Sequence, residues 1–286
     1  MNSFQYGLWD VRWSAEDGGR LNALRYGRQD LLTAPPMTFH PPAPAYGEYE
    51  TRPVYGYDDC FPTVDACSFP TQDLSIPDHG ELCWLPWEAA VIPDQLAFQV
   101  RSGKLPVIFK RCMSFQPSSL SWSFEVINTG DVNLPFLHVM HALMPLREIA
   151  GVQIPDFAKA VDEMLGKELP PTNSAQVENL LISHPEAKAS MLLLQGVKLG
   201  RVGIAFRSGL KLDVRFPHEL FPTLAIWWNQ GGYPDEEGCR RVECAFEPNP
   251  GTYSSLARSY PEGAFLLAPA RGSVKWTITW NVSLES

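Results

Sequence analysis

The sequence predicts an all-β protein, a large antiparallel β-sandwich with few short helices. Three observations carry this reading. Apolar and polar residues alternate wherever a period is visible, strand-like segments follow one another without a β-helix-β rhythm, and Gly, Pro, Asn or Asp bounds each apolar run. A doubly wound or barrel α/β fold would need helices between its strands, and the sequence offers few.

Taken in chain order, the stretch from Thr33 to Pro62 comes first, rich in proline and aromatics. A linker would be polar and rich in Gly and Ser, whereas this stretch carries Tyr46, Tyr49, Tyr55 and Tyr57, so a rigid loop packed over one end of the sandwich is expected. QLAFQV and VIFKRCMSF follow as strands. In LSWSFEVIN, Leu120, Trp122, Phe124 and Val126 share one face, while Ser121, Ser123 and Glu125 take the other, as in a half-buried strand. DFAKAVDEMLGK, Asp156 to Lys167, reads as a helix. ASMLLLQG, GRVGIAFRSG, KLDVRF, PTLAIWW and RRVECAFEP read as strands, and Tyr253 to Arg258 as a turn or two of helix. VKWTITWNV closes the series, with Val274, Trp276, Ile278 and Trp280 inward and Lys275, Thr277 and Thr279 outward.

A chain of 286 residues, 45% hydrophobic and 19% charged, is ample for a core. No composition shift or internal repeat marks a boundary, so residues 1–286 are expected to form a single domain. The N-terminus has no basic start followed by an apolar run, and nowhere do 18 apolar residues follow one another, so the expected location is cytoplasmic. The six cysteines show no C-x-x-C pair and no metal-ligand spacing, which predicts buried free thiols and no metal site. A formal net charge of -9 repels phosphate backbones and anionic lipid, so nucleic acid and membrane surface are not expected as partners. The sequence does not predict the oligomeric state.

Three stretches place polar groups among aromatics and prolines: Asp58-Asp59-Cys60-Phe61-Pro62 leading to Asp78-His79-Gly80, then His138 and His141, then Glu247-Pro248. Glu247 ends an alternating strand, where a side chain can project into a cleft with prolines fixing the backbone behind it; the plain alternative is an exposed glutamate at a turn. His79 sits beside a glycine that permits a tight turn, and Trp84 and Trp87 follow it, apolar ring faces of the kind a pyranose packs against. His138 and His141 lie three apart, so in an extended segment they face opposite sides and one of them is a core or interface histidine. Asp58 and Asp59 read either as acid/base or ligand-contacting carboxylates or as caps of the following turn. G-x-S-x-G, Walker and dinucleotide motifs are absent.

In their order and spacing these pieces resemble the aldose 1-epimerase superfamily, the galactose mutarotase-like proteins, and within it the hexose-6-phosphate 1-epimerase branch. That branch carries Gly-x-Pro-x-Cys-Phe-Pro, of which Gly56, Cys60, Phe61 and Pro62 are kept. It then carries His-Gly-Phe-Ala-Arg-Asn, two variable residues and Trp-Glu, matched here by His79, Gly80, Trp87 and Glu88. The family's proline and the histidine six residues on correspond to Pro135 and His141, which favours His141 over His138. Its late Glu-Pro corresponds to Glu247-Pro248. The arginine of the second motif is Cys83 here, and only Asp213 and Asp156 stand as candidates for the family's later aspartate.

The resemblance implies a galactose mutarotase-like supersandwich, a small-molecule sugar substrate and no cofactor. It implies Glu247 as base, His141 as acid and His79 as an orienting or assisting group; Asp58, Asp59, Trp84 and Trp87, read from the residues above, are the expected substrate contacts. The loss of an arginine at Cys83 points to a hexose without a phosphate. A non-catalytic carbohydrate-binding or regulatory protein on the same fold is the alternative. A glycoside hydrolase or lyase would need two opposed carboxylates such as Asp59 and Glu247.

Overall fold

The computed structural model describes residues 2–41, 49–170, 172–236 and 238–284. Every ladder between its strands is antiparallel among these residues, and two α-helices, Ser174–Ile182 and Leu256–Ser259, are described. Neither is long and apolar enough to cross a membrane.

Strict alternation builds one layer. Val107–Gln116 and Ser119–Asn128 pair across their full length, Ser273–Leu284 follows, and these three centre an eight-stranded sheet. Leu120, Trp122, Phe124 and Val126 face the core with Trp276, Ile278 and Trp280, while Ser123 and Thr277 meet on the outer face. Val274 is only partly buried. The opposite layer is two sheets joined edge to edge. A six-stranded sheet ends on Val139–Ala142, and a five-stranded sheet ends on Val242–Asn249. Met144 and Cys244 exchange both backbone hydrogen bonds, 2.7 and 3.1 Å, so the polar backbone at the join is paired. One core cluster runs between the layers from Trp9 to Val282.

Two sequence expectations are corrected here. Asp156 to Lys167 is not a helix: Lys159–Asp162 pairs with Ala189–Gln195 and turns back into Lys167–Glu168. Ala160 and Val161 gain burial against the sheet, and Gly166 takes a φ of +62° in the turn, while Met164 and Leu165 stay exposed at its tip. The proline-rich stretch is not packed down throughout, because residues 34–41 are exposed, whereas Tyr49 and Glu50 are buried. Tyr46 lies outside the described residues. The end of that stretch, Tyr57–Cys60, is a strand of the six-stranded sheet.

Candidate active site

Tyr57–Cys60 and Val139–Ala142 lie side by side, with Asp58 opposite His141 and Asp59 opposite Met140. Because successive side chains on a strand point to opposite faces, this pair divides the polar residues between two environments. Asp58 and His141 face outward, and Asp59 faces the core with the preceding His138.

The outer face is the floor of a cavity of about 280 Å³ where the two sheets of this layer join. His141, His79 and Glu247 all line it. Glu247 stands on Val242–Asn249 opposite Ala225, whose small side chain leaves room above the sheet. His79 arrives from a loop. Its own φ is +60°, and Gly80 follows at +71° where any Cβ would collide with the Phe61 carbonyl, so the turn that aims the imidazole requires glycine there. The His79 ring stacks on Tyr49, centroids 3.6 Å apart and nearly parallel, and meets His141 edge-on at 4.9 Å.

Asp58 holds this arrangement from below. Its carboxylate lies 2.9 Å from Nδ1 of His141 and accepts from the Tyr49 hydroxyl at 3.2 Å, with Arg20 and Arg52 each 3.6 Å away. Nδ1–H donating to Asp58 fixes one tautomer and leaves Nε2 free. Burial alone would push the Asp58 carboxyl up, but the His141 bond and the two guanidinium charges outweigh it and hold it below the usual carboxylate range. Burial would lower His141, yet the bond and charge of Asp58, with Glu247 and Glu243 nearby, raise it above the ordinary imidazole value. Glu247 is raised, chiefly by burial and against the pull of His141 and His79.

The cavity wall is acidic. Glu50, Asp65, Asp78, Glu163 and Glu243 line it with Glu247, and among the described lining residues Arg241 is the one lysine or arginine. Arg241 is spoken for: it donates to both Glu50 oxygens at 2.8 and 3.1 Å and to Glu243 at 2.9 Å. Asp65 is raised to about 6 by burial and then by the charges of Glu163 and Asp78. Trp227 and Tyr233, edge to face at 5.5 Å, add aromatic surface to the wall.

Of the expected ligand contacts, three lie elsewhere. Asp59 is fully buried on the core side, where Arg111 reaches across from the eight-stranded sheet to donate to it at 2.5 Å; the Tyr57 hydroxyl donates at 2.5 Å and His138 Nε2 lies 2.9 Å away. Asp59 therefore ties the layers together, and it cannot oppose Glu247 across a cleft as a hydrolase would require. Trp87 packs in the core against Phe109 and under the Arg111 guanidinium. Trp84 is partly exposed beneath Arg52 and outside the cavity lining. Asp58 lies under the cavity rather than in its wall. Asp213 bonds Arg201 and Arg215, and exposed Asp156 accepts from Ser174, so neither reaches the cavity. Tyr49, Trp227, Arg241 and Glu243 belong to the site without having been anticipated. Glu243 was accessible to strand alternation, being four residues before Glu247 on the same face.

No family model matches the chain, and no curated protein matches it in sequence. Solved structures do match. A protein from Synechocystis sp. PCC 6803 superposes with a TM-score of 0.76, covering 99% of this chain and 96% of its own at 18% identity. A galactose mutarotase-like protein from Clostridium acetobutylicum gives 0.71, over 99% and 95%, at 16% identity. A galactose mutarotase related enzyme from Lactobacillus acidophilus gives 0.68, over 99% and 97%, at 12% identity. The fold is therefore the galactose mutarotase-like β-sandwich, and it spans nearly the whole chain.

Proposed function

We propose that this chain, acting as one domain over residues 1–286, interconverts the α and β anomers of a hexose by general acid/base ring opening. The observation that carries the reading is the meeting of a burial-raised carboxylate, Glu247, and an Asp58-held imidazole, His141, in one cavity with aromatic walls. Glu247 takes the proton of the anomeric hydroxyl. The C1–O bond of the ring breaks as His141 delivers a proton to the ring oxygen, giving an open-chain aldehyde. Rotation about C1–C2 presents the other carbonyl face, and the reverse transfers close the ring and restore both groups. His79, fixed by its stack on Tyr49, orients the sugar. The step consumes no cofactor.

The wall favours an uncharged sugar. Six carboxylates face the cavity, Arg241 is already paired, and Arg52 and Arg111 are committed to Asp17 and Asp59, so among the described residues the lining offers a phosphate no unpaired guanidinium.

This reading predicts a bell-shaped pH profile for anomer exchange. Activity rises as Glu247 loses its proton, so the acid limb lies above the ordinary glutamate value of about 4.3. It falls as His141 loses its proton, so the alkaline limb lies above about 6.5. Exchange rates measured across pH 4 to 10 by magnetisation-transfer NMR test this; an alkaline limb below about 6.5 would contradict His141 as the acid.

A further inference from the structure

Beneath the proposed acid lies a group that the ring-opening chemistry does not use. Cys60 is two residues from Asp58 on the same strand, so its thiol shares the outward face with Asp58 and lies on the cavity side of the sheet. One donor atom each from Cys60, His79 and His141 lies within 4.8 Å of the other two. The three come from separate elements, a strand, a loop and a second strand, which is why no ligand spacing appears in the sequence.

We propose that these three residues bind one thiophilic divalent cation, Zn²⁺ being the reference case. A tetrahedral zinc with nitrogens at about 2.0 Å and a thiolate at about 2.3 Å sets its ligands roughly 3.5 Å apart, so the donors need to close by only about 1 Å. The surroundings suit a cation. Asp58 holds Nδ1 of His141 and leaves Nε2 for the metal, the arrangement by which an outer carboxylate fixes a metal-binding imidazole. Nδ1 of His79 is buried with the Asp78 carboxylate 3.1 Å away, an outer carboxylate beside this imidazole too. The carboxylates of Glu247, Asp78 and Glu243 face the same space. Three protein ligands leave a fourth position directed at the cavity, as in zinc sites that exchange a ligand.

Binding replaces the proton of the Cys60 thiol with the metal, so affinity rises with pH. A second consequence rests on the acid/base reading above: a metal-bound His141 has no proton to deliver, and Zn²⁺ inhibits anomer exchange.

The test is titration of metal-free protein with Zn²⁺ against a chromophoric chelator, with Co²⁺ spectra of the wild-type chain alongside. One equivalent is expected, with a thiolate-to-cobalt charge-transfer band. The equivalent is lost in Cys60→Ser and in His79→Ala and kept in Cys112→Ser, which alters a thiol on the eight-stranded sheet, outside the cavity lining. No bound equivalent in the wild type, a Co²⁺ spectrum without the thiolate band, or a stoichiometry unchanged in Cys60→Ser would each overturn the proposal. These readouts follow binding alone, so failure of the metal site leaves the ring-opening reading standing, and a protein that binds Zn²⁺ without turnover separates the two in the other direction.

Discussion

Replacing Glu247 by glutamine is expected to slow anomer exchange of an aldose by about 10²- to 10⁴-fold while changing its binding far less. The substitution keeps size and polarity and removes only the ability to take a proton. Glu247 is buried opposite Ala225, and the neutral amide costs less to bury there than the carboxylate does. His141→Asn is expected to cause a comparable loss through the ring oxygen. His138→Asn separates role from mere proximity in sequence: His138 packs among Phe109, Phe124 and Trp276 in the core, so its loss should lower stability and leave exchange near the wild-type rate. Exchange that survives in Glu247→Gln would remove this residue as the base.

The second large effect concerns folding. Asp59→Ala is expected to destabilise the protein by about 3–5 kcal/mol, because it strands the Arg111 guanidinium without its counter-charge between the layers. Arg111 would keep its 2.6 Å bond to the Gly19 carbonyl and its place over the Phe98 ring, but neither supplies a negative charge. That loss is a large share of the roughly 5–15 kcal/mol by which a domain is stable, so a shifted denaturant midpoint is the measurement to make. In the wild type, burial works against the Asp59 carboxyl, and Arg111 and His138 more than offset it, holding its pKa below the usual range. A carboxyl depressed in the folded state adds stability above its unfolded value of about 3.9, and that contribution disappears as pH falls through the folded value. A midpoint unchanged in Asp59→Ala would show that the layers do not depend on this ion pair.

The strands were legible because one face of each meets the core and the other does not: Leu120 to Val126 and Trp276 to Trp280 announce themselves by alternation alone. Where both faces are covered, as in Thr223–Gln230, alternation fades and Leu224 to Trp228 reads as a plain apolar run. The helix Ser174–Ile182 went unread although Asn173 and Gln176 form a capping box that the sequence displays, and its apolar side is weak. The helix expected at Asp156 to Lys167 failed for the opposite reason, since local helical preference there is overridden by pairing with Ala189–Gln195. Adjacent Asp58 and Asp59 were named together as ligand contacts, but as neighbours on a strand they must point to opposite faces. Tyr49 was named only as an aromatic of the loop, and its stack on His79 depends on a tertiary contact across 30 residues that no local pattern encodes.

The most direct test of the central claim is magnetisation-transfer NMR on free hexoses and their 6-phosphates, side by side, with catalytic amounts of the wild-type protein. The account predicts α/β exchange of at least one unphosphorylated hexose well above its spontaneous rate, and slower exchange of the corresponding 6-phosphate against the acidic wall. A hexose that binds while its anomers exchange only at the background rate would contradict it and leave a sugar-binding protein on this fold.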